Sequence, residues 1–212
     1  HENGIAQATR LLSGWGLKFF DFDNDGRIDL FQADGHPEDM IDQISPTVHY
    51  LEPLLLFRQG PDGMLRDISD QAGPIFKKDF AARGLAIGDY NNDGRIDVLV
   101  GVNGGAPLLL RNNAGKGNHW VGIKLVGVHS NRDAVGARLT WSVGGHVMKM
   151  LRNGGGSYLS SHDPRVVLGL GTATKLDWLE VHWPAPSGKV ERLTNIPVDR
   201  YVTIVEGKGV QA

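Results

Sequence analysis

An all-β fold is what the sequence predicts, and three observations predict it. Apolar residues come in short alternating or β-branched runs, too short for ordinary helices. The 29 glycines, many beside Asn or Asp, supply the tight turns that join such runs. A pattern of apolar run, acidic nine-residue loop, apolar run and polar glycine turn also occurs twice, at residues 16–36 and 84–104.

The elements follow in order. In GLKFFDFDNDGRIDLFQADGH, Leu17, Phe19 and Phe20 form a strand before the acidic loop, and Ile28, Leu30 and Phe31 form one after it. Leu54-Leu55-Leu56-Phe57, the turn Gly60-Pro61-Asp62-Gly63 and Met64–Asp67 then read as a hairpin. That makes a unit of about four strands, the size of a propeller blade. Between loop and hairpin, Pro37-Glu38-Asp39-Met40-Ile41 predicts one short helix, the only one of note, with Pro37 in its first turn. The second copy, GLAIGDYNNDGRIDVLVGVNG, places Leu85 and Ile87, then Ile96, Val98 and Val100, in the same roles. It lacks a fourth strand, because Pro107–Arg111 runs straight into a different pattern. From Asn118 the acidic loops stop and alternation takes over: Val121, Ile123, Leu125; Leu139, Trp141, Val143; Leu179, Val181, Trp183; Val202, Ile204. Short strands at that spacing suggest a sandwich or small barrel. The division expected is a partial β-propeller of about two blades over residues 1–115 and a β-sandwich-like domain over 116–212, joined near 112–118.

Bulk properties remove some functions. A net charge of −2 with 22% charged residues argues against a nucleic-acid partner, which wants a basic excess. No apolar run approaches the ~18 residues of a membrane-spanning helix. No signal peptide is visible, and the chain starts at His1, so a processed product or a fragment is expected. A propeller closes with about 4–8 blades. Two blades therefore imply either the C-terminal part of a longer propeller protein or an open blade face covered by a partner subunit or by the sandwich.

The acidic loops carry the clearest chemistry. Loop one is Asp21-Phe22-Asp23-Asn24-Asp25-Gly26-Arg27-Ile28-Asp29, and loop two is Asp89-Tyr90-Asn91-Asn92-Asp93-Gly94-Arg95-Ile96-Asp97. Calcium takes about 6–8 oxygens, and alternating side chains at positions 1, 3 and 5 can turn theirs inward as the chain curls. Glycine at position 6 permits the bend, Arg27 or Arg95 at position 7 offers a main-chain carbonyl, and Asp29 or Asp97 closes the loop. The predicted ligands are thus Asp21, Asp23, Asp25, Arg27 and Asp29, and Asp89, Asn91, Asp93, Arg95 and Asp97, for two Ca2+ ions with a structural role. Magnesium fits less well, since it demands tight octahedral geometry and keeps its waters. An EF-hand is excluded: position 12 is Gln32 or Val100 instead of Glu, and strands flank both loops. Loop one offers four carboxylates and loop two three, so loop one is expected to bind more tightly.

Other motifs read as structural. Ser160-Ser161-His162-Asp163 holds the residue types of a catalytic triad, but a triad is made by spatial convergence, not adjacency, and the segment is expected to be a turn before Pro164. The histidines at 1, 36, 49, 119, 129, 146, 162 and 182 show no zinc spacing, and His36, after Asp34-Gly35, is expected near loop one, where imidazole is a poor calcium ligand. Trp141, Trp178 and Trp183 are expected in the core, and Trp15 between blades. Asn131-Arg132-Asp133 and Arg165 could form a polar ligand patch or brace loops, and the sequence does not choose.

The loop repeats resemble FG-GAP or VCBS-type blades, GDYNNDGRIDVLV most specifically. The second half resembles the ASPIC/UnbV domain, through Asn118–Val121, Ser130–Arg138, Gly155–Ser160, Asp163–Arg165, Leu168–Gly171 and Val181–Pro184. Blades followed by this domain are the arrangement of the cartilage acidic protein family and its bacterial relatives. The resemblance implies a secreted, cell-surface or periplasmic protein with a calcium-stabilised propeller and no known reaction. The first expectation is therefore a non-enzymatic binding or structural module that engages a protein or glycan. An accessory domain of a larger secreted enzyme and a lectin-like glycan binder are the alternatives.

Overall fold

The computed structural model describes residues 4–211, whose strands fall into four small sheets. β1 (Gly14–Phe20), β2 (Asp29–Asp34), β3 (Glu52–Gln59) and β4 (Leu65–Asp67) lie antiparallel in that order, and β5 (Asp79–Phe80) pairs with the start of β3. β6 (Ala82–Gly88), β7 (Asp97–Val102) and β8 (Leu108–Leu110) form a three-stranded sheet. The second unit thus has three strands against the run of four in β1–β4, lacking the fourth strand as its sequence predicts.

One core joins these two sheets: Leu54 and Leu56 from β3 meet Leu85, Val98 and Val100 from β6 and β7. Leu55 and Phe57 point the other way and, with Leu30 and Leu65, lie under the helix α1 (Ile5–Thr9) through Ile5, Ala8 and Leu12. Burial on both faces explains why Leu54–Phe57 is a continuous apolar run rather than an alternating one.

Two helix expectations need correction. No α-helix starts at Pro37; the segment closes as turns around a single 3-10 stretch, Ile41–Gln43. There Asp42 accepts the Tyr50 N–H at 3.1 Å and pairs with His49 at 2.8 Å, while the Ser45 hydroxyl accepts the Thr47 and Val48 N–H groups. Such local side-chain bonds compete with helix formation. The α-helix that does form, α1, lies where none was expected and is only a turn and a half long, so tertiary packing rather than propensity holds it.

In the second half, β9 (His119–Val126), β10 (Arg138–Val143), β11 (His146–Leu151), β12 (Val166–Gly171), β13 (Trp178–His182), β14 (Val190–Leu193), β15 (Arg200–Val205) and β16 (Gly209–Gln211) sort into two four-stranded sheets, ordered β11-β10-β13-β14 and β12-β9-β15-β16. All the alternating residues named from the sequence, from Val121 to Ile204, enter one core shared by both sheets. Trp178 corrects the expectation for the tryptophans. Leu179, Val181 and Trp183 face inward, so Trp178 is out of phase and lies half-buried on the opposite face, with the Arg192 guanidinium 4.0 Å from its ring centroid. Trp15 does lie between sheets: its Nε1 donates to Gly35 O, and Arg83 of β6 stacks on its ring.

Candidate metal centres

Both acidic loops are hairpin connections. Phe20 pairs with Asp29 and Gly88 with Asp97, so each loop leaves and re-enters its sheet at one register. Position 1 collects the backbone of the curl. Asp21 accepts the N–H groups of Asp25 (3.0 Å) and Gly26 (2.8 Å), and Asp89 those of Asp93 (3.1 Å) and Gly94 (2.7 Å). The curl needs positive φ twice: at position 4, where Asn24 and Asn92 adopt 58° and 59°, and at position 6, where Gly26 and Gly94 adopt 86° and 82°. Asparagine tolerates that region and glycine enters it freely.

Position 9 is fixed by a strand that the repeat does not reveal. Asp29 accepts the Phe22 N–H (3.2 Å) and the Gln59 N–H (2.8 Å); Asp97 accepts those of Tyr90 (3.2 Å) and Asn112 (2.8 Å). Register makes Gln59 and Asn112 equivalent, since Leu30 pairs with Phe57 and Val98 with Leu110. Arg27 Nε and Arg95 Nε complete the match by donating to the carbonyls of Gln59 (3.2 Å) and Asn112 (3.3 Å).

In loop one, one carboxylate oxygen from each of Asp21, Asp23 and Asp29 lies within 4.8 Å of the other two, and all three residues are buried. This is a group of hard oxygens that could hold a metal ion. Burial, reinforced by the neighbouring carboxylates, pushes Asp21 up to about 8 and Asp29 up to about 7, and raises Asp23 as well. A divalent cation at this point would offset that cost.

Asp25 stands apart from the group. Its Oδ1 accepts the Arg27 N–H at 2.9 Å, and its Oδ2 pairs with the guanidiniums of Arg27 and, at 3.1 Å, Arg58, which also reaches Asp23 at 2.6 Å. Loop two repeats the arrangement more loosely: Asp93 pairs with Arg95, and Arg111 stands 3.8 Å away. There Asn91 replaces the third carboxylate and donates to Asp93 at 2.9 Å. Asp97 is raised by burial, but Asp93 is lowered, because its hydrogen bonds to Arg95 and Asn91 outweigh its burial. Of the ten residues named from the sequence, positions 1, 3 and 9 of loop one converge, and position 5 faces arginine in both loops. Arg27 and Arg95 act visibly through their guanidiniums, a role the spacing did not suggest.

The loops touch each other and the second half. Asn24 donates to Gly94 O at 2.9 Å. Loop one receives Gly171 N on Asn24 O (2.8 Å), Asn112 Nδ2 on Phe22 O (2.6 Å) and Asn118 Nδ2 on Asp23 O (2.8 Å). Strand β12 passes so close that a Cβ on Gly169 would stand 2.7 Å from Asn24 Cα. Loop two receives the Tyr201 hydroxyl on Asp89 Oδ2 (2.7 Å), and Arg165 on Asp89 O (2.8 Å) and Asn92 Oδ1 (2.5 Å). The Tyr201 ring is held by the Trp120 edge and by the Arg165 guanidinium, 4.3 Å from its centroid.

The remaining polar motifs are braces. Ser160 Oγ donates to Tyr158 O, His162 Nδ1 accepts the Ile87 N–H, and Asp163 pairs with Arg165, so the three triad-type residues do not meet one another. Asn131 exchanges two 2.8 Å bonds with the Val135 backbone. Glu206 accepts three successive N–H groups, from Val128, His129 and Ser130, at 2.7–2.9 Å. Those bonds overcome its desolvation and hold it down to about 2. The His36 ring bonds to the Glu38 backbone, and His1 is outside the described residues. No histidine joins a three-residue metal-ligand group among the described residues.

Comparison with known families agrees with the order read from the sequence. Residues 21–100 match the FG-GAP-like repeat, and residues 127–211 match ASPIC and UnbV. The comparison with curated proteins gives no match. The chain therefore carries an FG-GAP-like repeat segment followed by an ASPIC and UnbV segment. Among its described residues no helix is long and apolar enough to cross a membrane.

Proposed function

We propose that this FG-GAP-like and ASPIC/UnbV chain is a non-enzymatic extracellular module, two propeller blades and a β-sandwich, stiffened by calcium and used to bind a protein or glycan. The observation that carries the reading is the convergence of the Asp21, Asp23 and Asp29 carboxylates within 4.8 Å. All-oxygen donors on a flexible loop suit calcium better than magnesium or a transition metal. Asp21, Asp23 and Asp29 hold the ion in loop one; Asp89, Asn91 and Asp97 hold it in loop two. Asp25 and Asp93 add charge from position 5, and Arg27 and Arg95 supply main-chain carbonyls. The role of the ion is structural: it neutralises buried carboxylates at the point where two sheets and the second half meet.

The extracellular assignment rests on the FG-GAP likeness.

The test is a calcium titration by calorimetry together with thermal melts in calcium and in chelator. Two sites and a higher Tm in calcium are expected. Absence of both binding and a Tm shift refutes the reading.

A further inference from the structure

A cavity of about 630 Å³ opens between β1 and the strands β11 and β12, beside loop one. Its lining holds five Lys and Arg side chains against two carboxylates, those of Asp21 and Asp163. Both acids are engaged: Asp21 by the N–H groups of loop one and Asp163 by Arg165. Arg27 is likewise paired with Asp25, which leaves Lys18, Lys149 and Arg152 without a carboxylate partner among the described residues.

Three groups converge there from three segments. Arg152, at the end of β11, is 8% exposed; its Nε is buried without a partner, while Nη1 lies against the neighbouring Asn153 carbonyl. Lys18 comes from β1, and His162 from the turn before Pro164, its Nε2 buried beside the Gly156 backbone. A side chain at Gly156 would begin 3.6 Å from both Lys18 Nζ and His162 Nε2. Among the described residues neither Lys18 nor Arg152 forms an ion pair. Burial, then the Arg152 charge, lowers the Lys18 amine; burial, then Lys18, lowers His162. A buried guanidinium with an open donor is costly unless something accepts from it.

We propose that Lys18, Arg152 and His162 form a binding site for a small organic anion, with the acid group on these three donors and its body along Phe19, Ile87, Met148 and Met150. The volume decides against a bare inorganic ion, since small-molecule sites run to about 300–1,000 Å³ and are mostly apolar with a few placed polar groups. Arginine supplies the planar donor fork that suits a carboxylate. Lys18 belongs to the first half and Arg152 and His162 to the second, so the ligand bridges the two. The site deepens the binding role proposed above and rests on that role, but not on calcium.

Benzoate, benzamide and inorganic sulfate, titrated into the full chain in calcium and followed by amide NMR at Gly156, test it. Saturable shifts with benzoate and none with benzamide are expected, with affinity at least tenfold weaker in Lys18→Met and in Arg152→Met. If Arg152→Met does not fold, Lys18→Met and His162→Gln decide. Absence of saturation by benzoate, equal binding of benzamide, equally tight sulfate, or unchanged affinity in the variants overturns the proposal. The calcium-induced Tm rise measured on the same samples reports on the loops separately, so failure in the cavity is distinguishable from failure of the calcium reading.

Discussion

Asp23→Asn should stabilise the protein in chelator and destabilise it in calcium. Asp23 takes part in two of the three carboxylate pairs of loop one, all with oxygens within 4.8 Å. At that distance and an effective dielectric of ~20, each ionised pair repels by about 3.5 kcal/mol, so removing Asp23 relieves about 7 kcal/mol when all three are ionised. Two terms reduce this. At pH 8 Asp21, pushed up to about 8, is only about half ionised, so protons already relieve part of the repulsion. The variant also loses the Arg58 contact at 2.6 Å, but that arginine is 45% exposed and keeps Asp25, so the loss is at most about 1 kcal/mol. A net gain of about 4 kcal/mol remains, which for a chain of this size is a rise of about 8–16 °C in Tm. In saturating calcium the order reverses, because a charged ligand is gone and affinity at loop one falls by about 10-fold or more. Melts at pH 8 in EGTA and in millimolar calcium read both signs. The reasoning fails if Asp23→Asn melts below wild type in EGTA, or if calcium raises both proteins equally.

Three further outcomes follow from contacts outside that group. Tyr201→Phe keeps the ring between Trp120 and Arg165 but removes the donor to Asp89, and should cost about 1.5–3 kcal/mol in chemical denaturation; a change under about 0.5 kcal/mol would show that the contact links nothing. Asp34 is fully buried beside Glu52 and pushed up to about 7 by burial, with Gln32 its only side-chain donor, so its folded pKa lies above its unfolded one. Its stabilising contribution is complete below about pH 4 and lost as pH climbs to about 7, by up to about 4 kcal/mol; Asp34→Asn should flatten that decline in urea titrations across the window. Gly94→Ala meets the Trp120 indole at φ 82° and should cost several times the ~1 kcal/mol of Gly63→Ala, which faces open space at φ 76°; equal midpoint shifts would count against the packing argument.

Much of the fold is legible in the sequence because the second half obeys a period of two. Val121, Ile123 and Leu125 could be assigned to a core with no knowledge of their partners. Trp178 escaped for the same reason it was legible in principle: counted from Leu179 it is out of phase, and its size suggested the core more strongly than its position did. The acidic loops were legible as local patterns, positions 1, 3, 6 and 9 lying within one curl. Their closure was not. Gln59 and Asn112 reach Asp29 and Asp97 from a third strand, and connections of different length, residues 35–51 against 103–107, hide their equivalence. Only strand register brings them together. Position 4 carries a readable sign: asparagine, as Asn24 and Asn92, stands in both copies where the curl demands positive φ. The anion-binding trio was illegible, since Lys18, Arg152 and His162 come from distant segments and share no spacing.

The placement of the loops limits what calcium can do here. A loop at the rim of an isolated blade would stiffen only its own hairpin. Loop one instead carries Asn112 and Asn118 of the connector and Gly171 of β12, and loop two carries Tyr201 and Arg165. Most of these bonds land on main-chain carbonyls of the curl, at Phe22, Asp23, Asn24 and Asp89, whose positions depend on the curl keeping its shape. An ion that holds the curl therefore holds the acceptors for the second half. Asn24 extends the same effect from loop one to loop two through Gly94 O. The acidic repeat is thus more than a staple within a blade. It is a surface on which the second half is seated, through Asn112, Asn118, Gly171, Tyr201 and Arg165.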